Sequence, residues 1–172
     1  MKPSYNNIND RSGTSALFSL LGCSVTCVSH GFQSNYERGF CNGLAAGGAT
    51  VTLISSDRTD VQGLNPAVRT KNLRGSQEES RSAWKKGLNI LRYHIQLLIY
   101  VLRHRFSVVH VIGLISPPVT YGVLEGLWFR VFAGKYVLTV HNLLPHDKHT
   151  KFNRIAFGWA FKIPHHLVVH TL

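Results

Sequence analysis

Six of the ten histidines crowd the last third of the chain, at His141, His146, His149, His165, His166 and His170. Imidazoles at that density raise the question of a metal centre, and His146-x-x-His149 can bring two rings together. Structural zinc sites, however, usually include cysteine or a tighter ligand pattern. The three cysteines, Cys23, Cys27 and Cys41, all lie far upstream. No metal is expected, and His165-His166 is expected at the exposed start of a strand. Cys23 and Cys27 are four apart on an apolar run, which puts them on one strand face as small buried hydrophobes rather than a redox pair. An odd cysteine count, and a polar start without a secretory leader, point to a reducing compartment.

The formal net charge is +11, from 19 Lys and Arg against 8 acids. Such an excess favours anionic partners: a phospholipid surface, nucleic acid or phosphorylated substrates. The sequence shows no aromatic RNA-binding signature, zinc-finger pattern or obvious recognition helix, which weighs against nucleic acid. Basic residues spread over Arg81, Lys85, Lys86, Arg92, Arg103 and Arg105, then Lys148, Lys151, Arg154 and Lys162. A solvated helix face accounts for them, as does attraction to anionic lipid. No apolar stretch reaches the roughly 18 uninterrupted residues a membrane span needs. The chain therefore reads as soluble and cytoplasmic, with peripheral attachment to the inner face of the cell membrane left open.

Hydrophobic residues make up 44% of the 172 residues and charged ones 16%, which excludes wholesale disorder and allows one α/β domain with its own core. Residues 1–15 form a polar leader expected to be poorly ordered, and 16–172 form the domain. An apolar run at 20–28 reads as a strand. Ser34-x-x-Glu37 has capping-box form. Tyr36, Phe40 and Leu44 follow as a helical stripe, Gly47-Gly48 stops the helix, and 50–54 is a second strand. Residues 57–82 read as loop, with one short strand near 68–73. A long helix at 81–105 keeps its period through Leu88, Leu91, Ile95, Leu98 and Leu102. Strand 108–112, helix 121–132, strand 136–140, helix 152–161 and strand 167–169 complete the order. In the last helix Phe152, Ile155, Ala156 and Trp159 share a face, and Trp84, Trp128 and Trp159 are expected to pack. Strands alternating with helices predict an α/β fold: a Rossmann-like, mostly parallel sheet with helices on both faces. Ligands of such sheets bind at the carboxyl ends of the strands. Three loops leave those ends, at 30–34, 113–119 and 141–150, and the third is richest in polar side chains.

That third loop belongs to the segment Val137-Leu-Thr-Val-His-Asn-Leu-Leu-Pro-His-Asp147, which resembles a T-V-H-N-x-x-P-H-[DE] pattern. The pattern belongs to the N-terminal domains of family-4-like glycosyltransferases. "FSVVHV" at 106–111 resembles the preceding strand of that family, and "LVVHT" at 167–171 the following one. Residues 34–54 resemble its first helix and second strand. The resemblance covers about residues 20–172 and implies a GT-B enzyme, in which two Rossmann-like domains face each other. The N-terminal domain holds a glycan or lipid-linked acceptor, and the C-terminal one holds a nucleotide sugar, which is a substrate rather than a cofactor. No cofactor is implied and no metal is needed, because backbone amides, helix N-termini and basic side chains carry the leaving diphosphate.

On that resemblance His141 corresponds to the family's reaction-centre histidine, able to orient the acceptor and to pass or polarise a proton. The residue-level alternative is a histidine that caps a strand end. Asn142, His146 and Asp147 are candidates for acceptor hydroxyls or for holding their own loop. Family members often carry adjacent glycines in the first loop; here there is Gly31 alone, facing the donor phosphates, with Ser34-Asn35 nearby. Asn35 and Tyr36 are read as acceptor contacts, with Tyr36 in the core as the alternative. The family's paired glutamates, separated by seven residues in the donor domain, have no counterpart here. The expectation is a chain that stops before the donor domain, with little activity alone, or that meets a separate chain supplying it. Readings outside the family are a non-catalytic Rossmann-like module and a basic nucleic-acid-binding protein.

Overall fold

The computed structural model describes residues 20–29, 33–105, 107–114, 119–141 and 150–169. The polar leader and most of the three rim loops fall outside them. The strands are β1 (Ser24–Ser29), β2 (Thr50–Ser55), β3 (Arg69–Asn72), β4 (Val108–Ile112), β5 (Lys135–Val140) and β6 (His166–Val169). The helices are α1 (Ser34–Ala46), α2 (Ala83–Arg103), α3 (Glu125–Phe132) and α4 (Lys151–Lys162). One wide turn of π-helical backbone, Val119–Leu124, leads into α3.

The six strands form one sheet in the order β3-β2-β1-β4-β5-β6, and every pairing is parallel. This α/β sheet has the Rossmann-like strand order. Its physical basis is the β-branched content of the central strands, which are buried on both faces, as parallel strands must be. Right-handed crossovers then decide the layers. The step from β1 back to β2 puts α1 on one face; the steps from β3 to β4 and on to β6 put α2, α3 and α4 on the other. Two core clusters reflect that division. Cys27, Cys41, Val51, Leu53 and Ile112 pack under α1. Val28, Ile54, Tyr93, Leu97, Val109, Val111, Phe129 and Leu138 pack under α2 and α3.

Several local expectations need correction. Helix α1 starts at Ser34 itself, with Gln33 as its N-cap and no side-chain cap bond, while Glu37 is buried. The capping box is therefore not formed. Cys23 is exposed just before β1, and Cys27 is buried against α1 beside Cys41, so the two do not share a buried face. Trp84 and Trp159 are exposed by 78% and 63% instead of packing. Helix α4 buries Ala156, Phe157 and Ala160, and turns Phe152 and Ile155 outward. The cause is close approach: a Cβ on Gly122 would lie 3.0 Å from the Ala160 Cβ, so α4 meets the π-helical turn through its small side chains. Helix α2 likewise buries Tyr93, His94, Leu97, Tyr100 and Val101, while Leu88, Leu91, Ile95 and Leu102 face outward.

Between β2 and β3 a non-helical loop is tied to α1. Arg38 donates to Gln62 O at 2.9 Å, Asn42 Nδ2 donates to Gly63 O at 2.9 Å, and Asn42 Oδ1 accepts from Asn65 N at 2.7 Å. Among the described residues no helix is long and apolar enough to cross a membrane.

Candidate functional site

The carboxyl ends of β1, β2, β4 and β5 meet at one rim, and the strand order reverses between β1 and β4. Such a reversal leaves a crevice where the crossovers diverge to opposite faces. Residue parity along β5 places Val137, Thr139 and His141 on the α1 face and Tyr136, Leu138 and Val140 on the other. His141, one residue past β5, thus stands at the rim above α1 and is partly buried. Its ring meets Tyr36 edge-on, with centroids 4.9 Å apart and planes at 87°. Tyr36 lies in the first turn of α1 and stacks in turn with Phe40 at 6.0 Å.

Gly113 makes this approach possible. It follows β4 with φ +78°, a conformation that costs a residue with a Cβ, and its own Cβ would fall 3.3 Å from His141 Cδ2. Its N–H donates to Thr139 O at 3.1 Å, which continues the β4–β5 ladder to the rim. Glycine therefore gives the His141 ring room against the backbone.

A second imidazole lies on the same sheet face, opposite Val137 and four residues further from the rim. His110 on β4 shares a 2.7 Å hydrogen bond between its Nε2 and Thr139 Oγ1, and Phe40 covers it edge-on at 4.4 Å. Burial pulls its pKa down to about 4, so the ring is neutral at physiological pH. The histidines at 110 and 141 therefore lie on one sheet face, the lower neutral and bonded to Thr139, the upper at the rim beside Tyr36.

Of the residues singled out in the sequence, the fold brings His141 and Tyr36 together. Asn35 is exposed and its Oδ1 accepts from Arg38 Nη2 at 2.6 Å, which ties it to α1 rather than to His141. Gly31, Asn142, His146 and Asp147 lie outside the described residues. His166 opens β6 and is exposed, as expected, whereas His165 precedes the strand and is half-buried. Its Nδ1 accepts from Tyr136 N, and its own N donates to Tyr136 O, each at 2.9 Å. The ring thus substitutes for a backbone acceptor where β6 joins β5. Among the described residues no group of three His, Cys, Asp or Glu is arranged to hold a metal ion.

The opposite face holds a charged cluster that no motif or spacing in the sequence announces. Arg74 follows β3 and is 4% exposed; its N donates to Ser55 O at 3.2 Å and its O accepts from Asn89 Nδ2 at 2.8 Å. Held in this way, its guanidinium donates to Ser29 O at 3.4 Å, at the end of β1. It lies 5.4 Å from the Tyr93 ring centroid and 5.1 Å from that of Tyr121. Glu125 completes the cluster and is wholly buried. Burial pushes its carboxyl up to about 8, against the Arg74 charge and the Tyr93 hydroxyl, which both pull it down. Burial and the Glu125 charge in turn push the Tyr93 phenol well above its usual range. Burial, then Arg74, lowers the pKa of His94, whose ring is boxed by Tyr93, Tyr121 and Trp128. A cavity of about 180 Å³ opens beside this cluster, lined by Arg74, Gln77, Lys86, Asn89, Tyr93 and Tyr121 among others. One signal was available in the sequence: Glu125 is the only Asp, Glu, Lys or Arg between Arg105 and Arg130.

No family model, curated protein or solved structure matches the chain.

Proposed function

We propose that the chain is the acceptor-side domain of a family-4-like, GT-B glycosyltransferase. It would contribute to transfer of a sugar from a nucleotide-sugar donor to a hydroxyl acceptor, glycan or lipid-linked. One observation carries the reading. The segment that resembles the family's T-V-H-N pattern ends β5, and its histidine stands at the sheet's carboxyl rim beside Tyr36. That is where an open parallel sheet receives ligands. In this reading His141 orients the acceptor and moves a proton at its hydroxyl, Tyr36 buttresses the ring, and Gly113 gives it room. His110 keeps the sheet face beneath it neutral. Asn142, His146 and Asp147 are assigned to the acceptor, Gly31 to the donor phosphates and Asn35 to the edge of the acceptor site. The donor itself would be held mainly by a second domain, in the same polypeptide or a separate chain. The assigned setting is cytoplasmic, at the inner face of the cell membrane.

Sugar transfer provides the test. The chain is mixed with a donor-binding half supplied in trans and offered radiolabelled nucleotide sugars with extracted lipid and glycan acceptors. Transfer that requires both halves supports the assignment. Equal transfer when the chain is left out contradicts it and leaves a non-catalytic module.

A further inference from the structure

We infer that the outer surface of α2, continued onto α3, is a docking surface for an anionic phospholipid bilayer. Trp84, Leu88, Leu91, Ile95, Ile99 and Leu102 all point away from the sheet, with exposures from 78% at Trp84 to 43% at Ile99. Their spacings of three and four put them on one stripe, and a helix of 21 residues carries it for about 30 Å. The core does not require this stripe, because Tyr93, Leu97, Tyr100 and Val101 already fill the inner face. Contiguous apolar surface of this length on a water-facing helix marks an interaction site.

Charge complementarity selects the occupant. Lys85, Arg92 and Arg103 follow one another by seven and eleven residues, so they share one flank of the stripe. Helix α2 has no Asp or Glu at all. Beside it α3 adds exposed Leu127, Val131 and Arg130, and its single acid, Glu125, is buried. From residue 81 onward the chain holds twelve of its nineteen Lys and Arg but only two of its eight acids, Glu125 and Asp147. The exposed carboxylates lie off both helices: Asp57 and Asp60 follow β2, and Glu78 and Glu79 precede α2, where they line the cavity beside Lys86. An apolar stripe with a basic flank, an indole at one end and no exposed acid on either helix suits the headgroup boundary of an anionic bilayer. A helix pinned there by its outer face lays the strands parallel to the membrane plane, because α2 runs antiparallel to them. The carboxyl rim then opens sideways along the surface, at the Trp84 end. This docking does not depend on which reaction the rim supports.

Sedimentation of the full chain with vesicles tests it. Phosphatidylcholine vesicles are compared with vesicles that also contain phosphatidylglycerol. The chain is expected to sediment with the second kind, and Leu91→Glu with Ile95→Glu is expected to weaken this by roughly tenfold or more. Lys85→Glu, Arg92→Glu and Arg103→Glu together should abolish the preference for phosphatidylglycerol, with the circular dichroism of both variants unchanged. In a Trp128→Phe, Trp159→Phe background, Trp84 emission should shift to the blue on binding. Undiminished sedimentation of the Leu91→Glu, Ile95→Glu variant would overturn the inference. So would wild-type chain that ignores both vesicles and instead dimerises through the stripe, or is retained only by nucleic acid.

Discussion

His110 and Glu125 are both withdrawn from water, and for that reason each favours its uncharged form. The consequences for stability run in opposite directions. His110 falls from an ordinary 6.5 to about 4, so between those values the unfolded chain binds more protons and stability is lost as pH falls. Glu125 rises from an ordinary 4.5 to about 8, so between those values the native chain binds more protons and stability is lost as pH rises. From pH 4.5 to 6.5 the two slopes oppose each other, and above 6.5 only that of Glu125 continues. A tenfold change in proton affinity is worth about 1.4 kcal/mol, so Glu125 alone withholds several kcal/mol by pH 8. Urea midpoints measured across this range should decline above pH 6.5 in the wild type. In Glu125→Gln that decline should disappear, and in His110→Asn it should begin at a lower pH than in the wild type, with buried His94 still opposing it below pH 6.5. A Glu125→Gln variant that keeps the wild-type pH profile would show that the carboxyl is not the cause. Little of this was legible in the sequence. His110 sits inside a strand pattern, and a lone acid in an apolar helix does not reveal whether it faces water or core.

At the scale of elements, the periodicity predicted the helices and, in α1, the inner face as well, where Tyr36, Phe40 and Leu44 pack on the core. It missed the inner faces of α2 and α4. Helix α2 is apolar on two sides, so a period through Leu88, Leu91, Ile95 and Leu102 identified a real stripe that lies outside. Helix α4 shows the same reversal for a different reason. Its contact with the π-helical turn is made by Ala160 against Gly122, and small residues contribute little to a hydrophobic pattern. Gly122→Ala should destabilise the fold by about 1–3 kcal/mol, because neither backbone can withdraw without moving a packed element. Ala160→Gly in the same chain should recover most of that loss. Thermal melts of the two single variants and the double variant would measure the coupling, and additive losses would exclude the contact as the cause. The strands were far more legible, since β-branched runs buried on both faces have few alternatives. The missing helix between β2 and β3 was legible too, through Asn65-Pro66 and the polar run around it.

For the whole molecule, alternation of strands and helices predicted a parallel sheet, and the structure arranges it as β3-β2-β1-β4-β5-β6 with a reversal beside β1. That order brings the first turn of α1, the glycine after β4 and the histidine after β5 to one rim. Tyr36 and His141 are more than a hundred residues apart in sequence, so their contact could be anticipated only through the order of the strands. The buried Arg74–Glu125 cluster was signalled only by the lone acid at 125, because its members come from the end of β3, from α2 and from α3, and no spacing links them. Gly113 connects the scales: Gly113→Ala should displace the His141 ring as well as strain the turn, at a stability cost of about 1–2 kcal/mol. Nuclear magnetic resonance shifts of the His141 imidazole would register the displacement, and unchanged shifts would show that the ring does not depend on the glycine.

The most direct measurement is the turnover number for sugar transfer by wild type and His141→Ala, each completed with a donor-binding half and checked for the same circular dichroism. If the imidazole at the end of β5 works on the acceptor hydroxyl, the substitution lowers kcat by about a hundredfold or more without unfolding the chain. Wild-type turnover by His141→Ala would contradict the placement of the reaction at this rim.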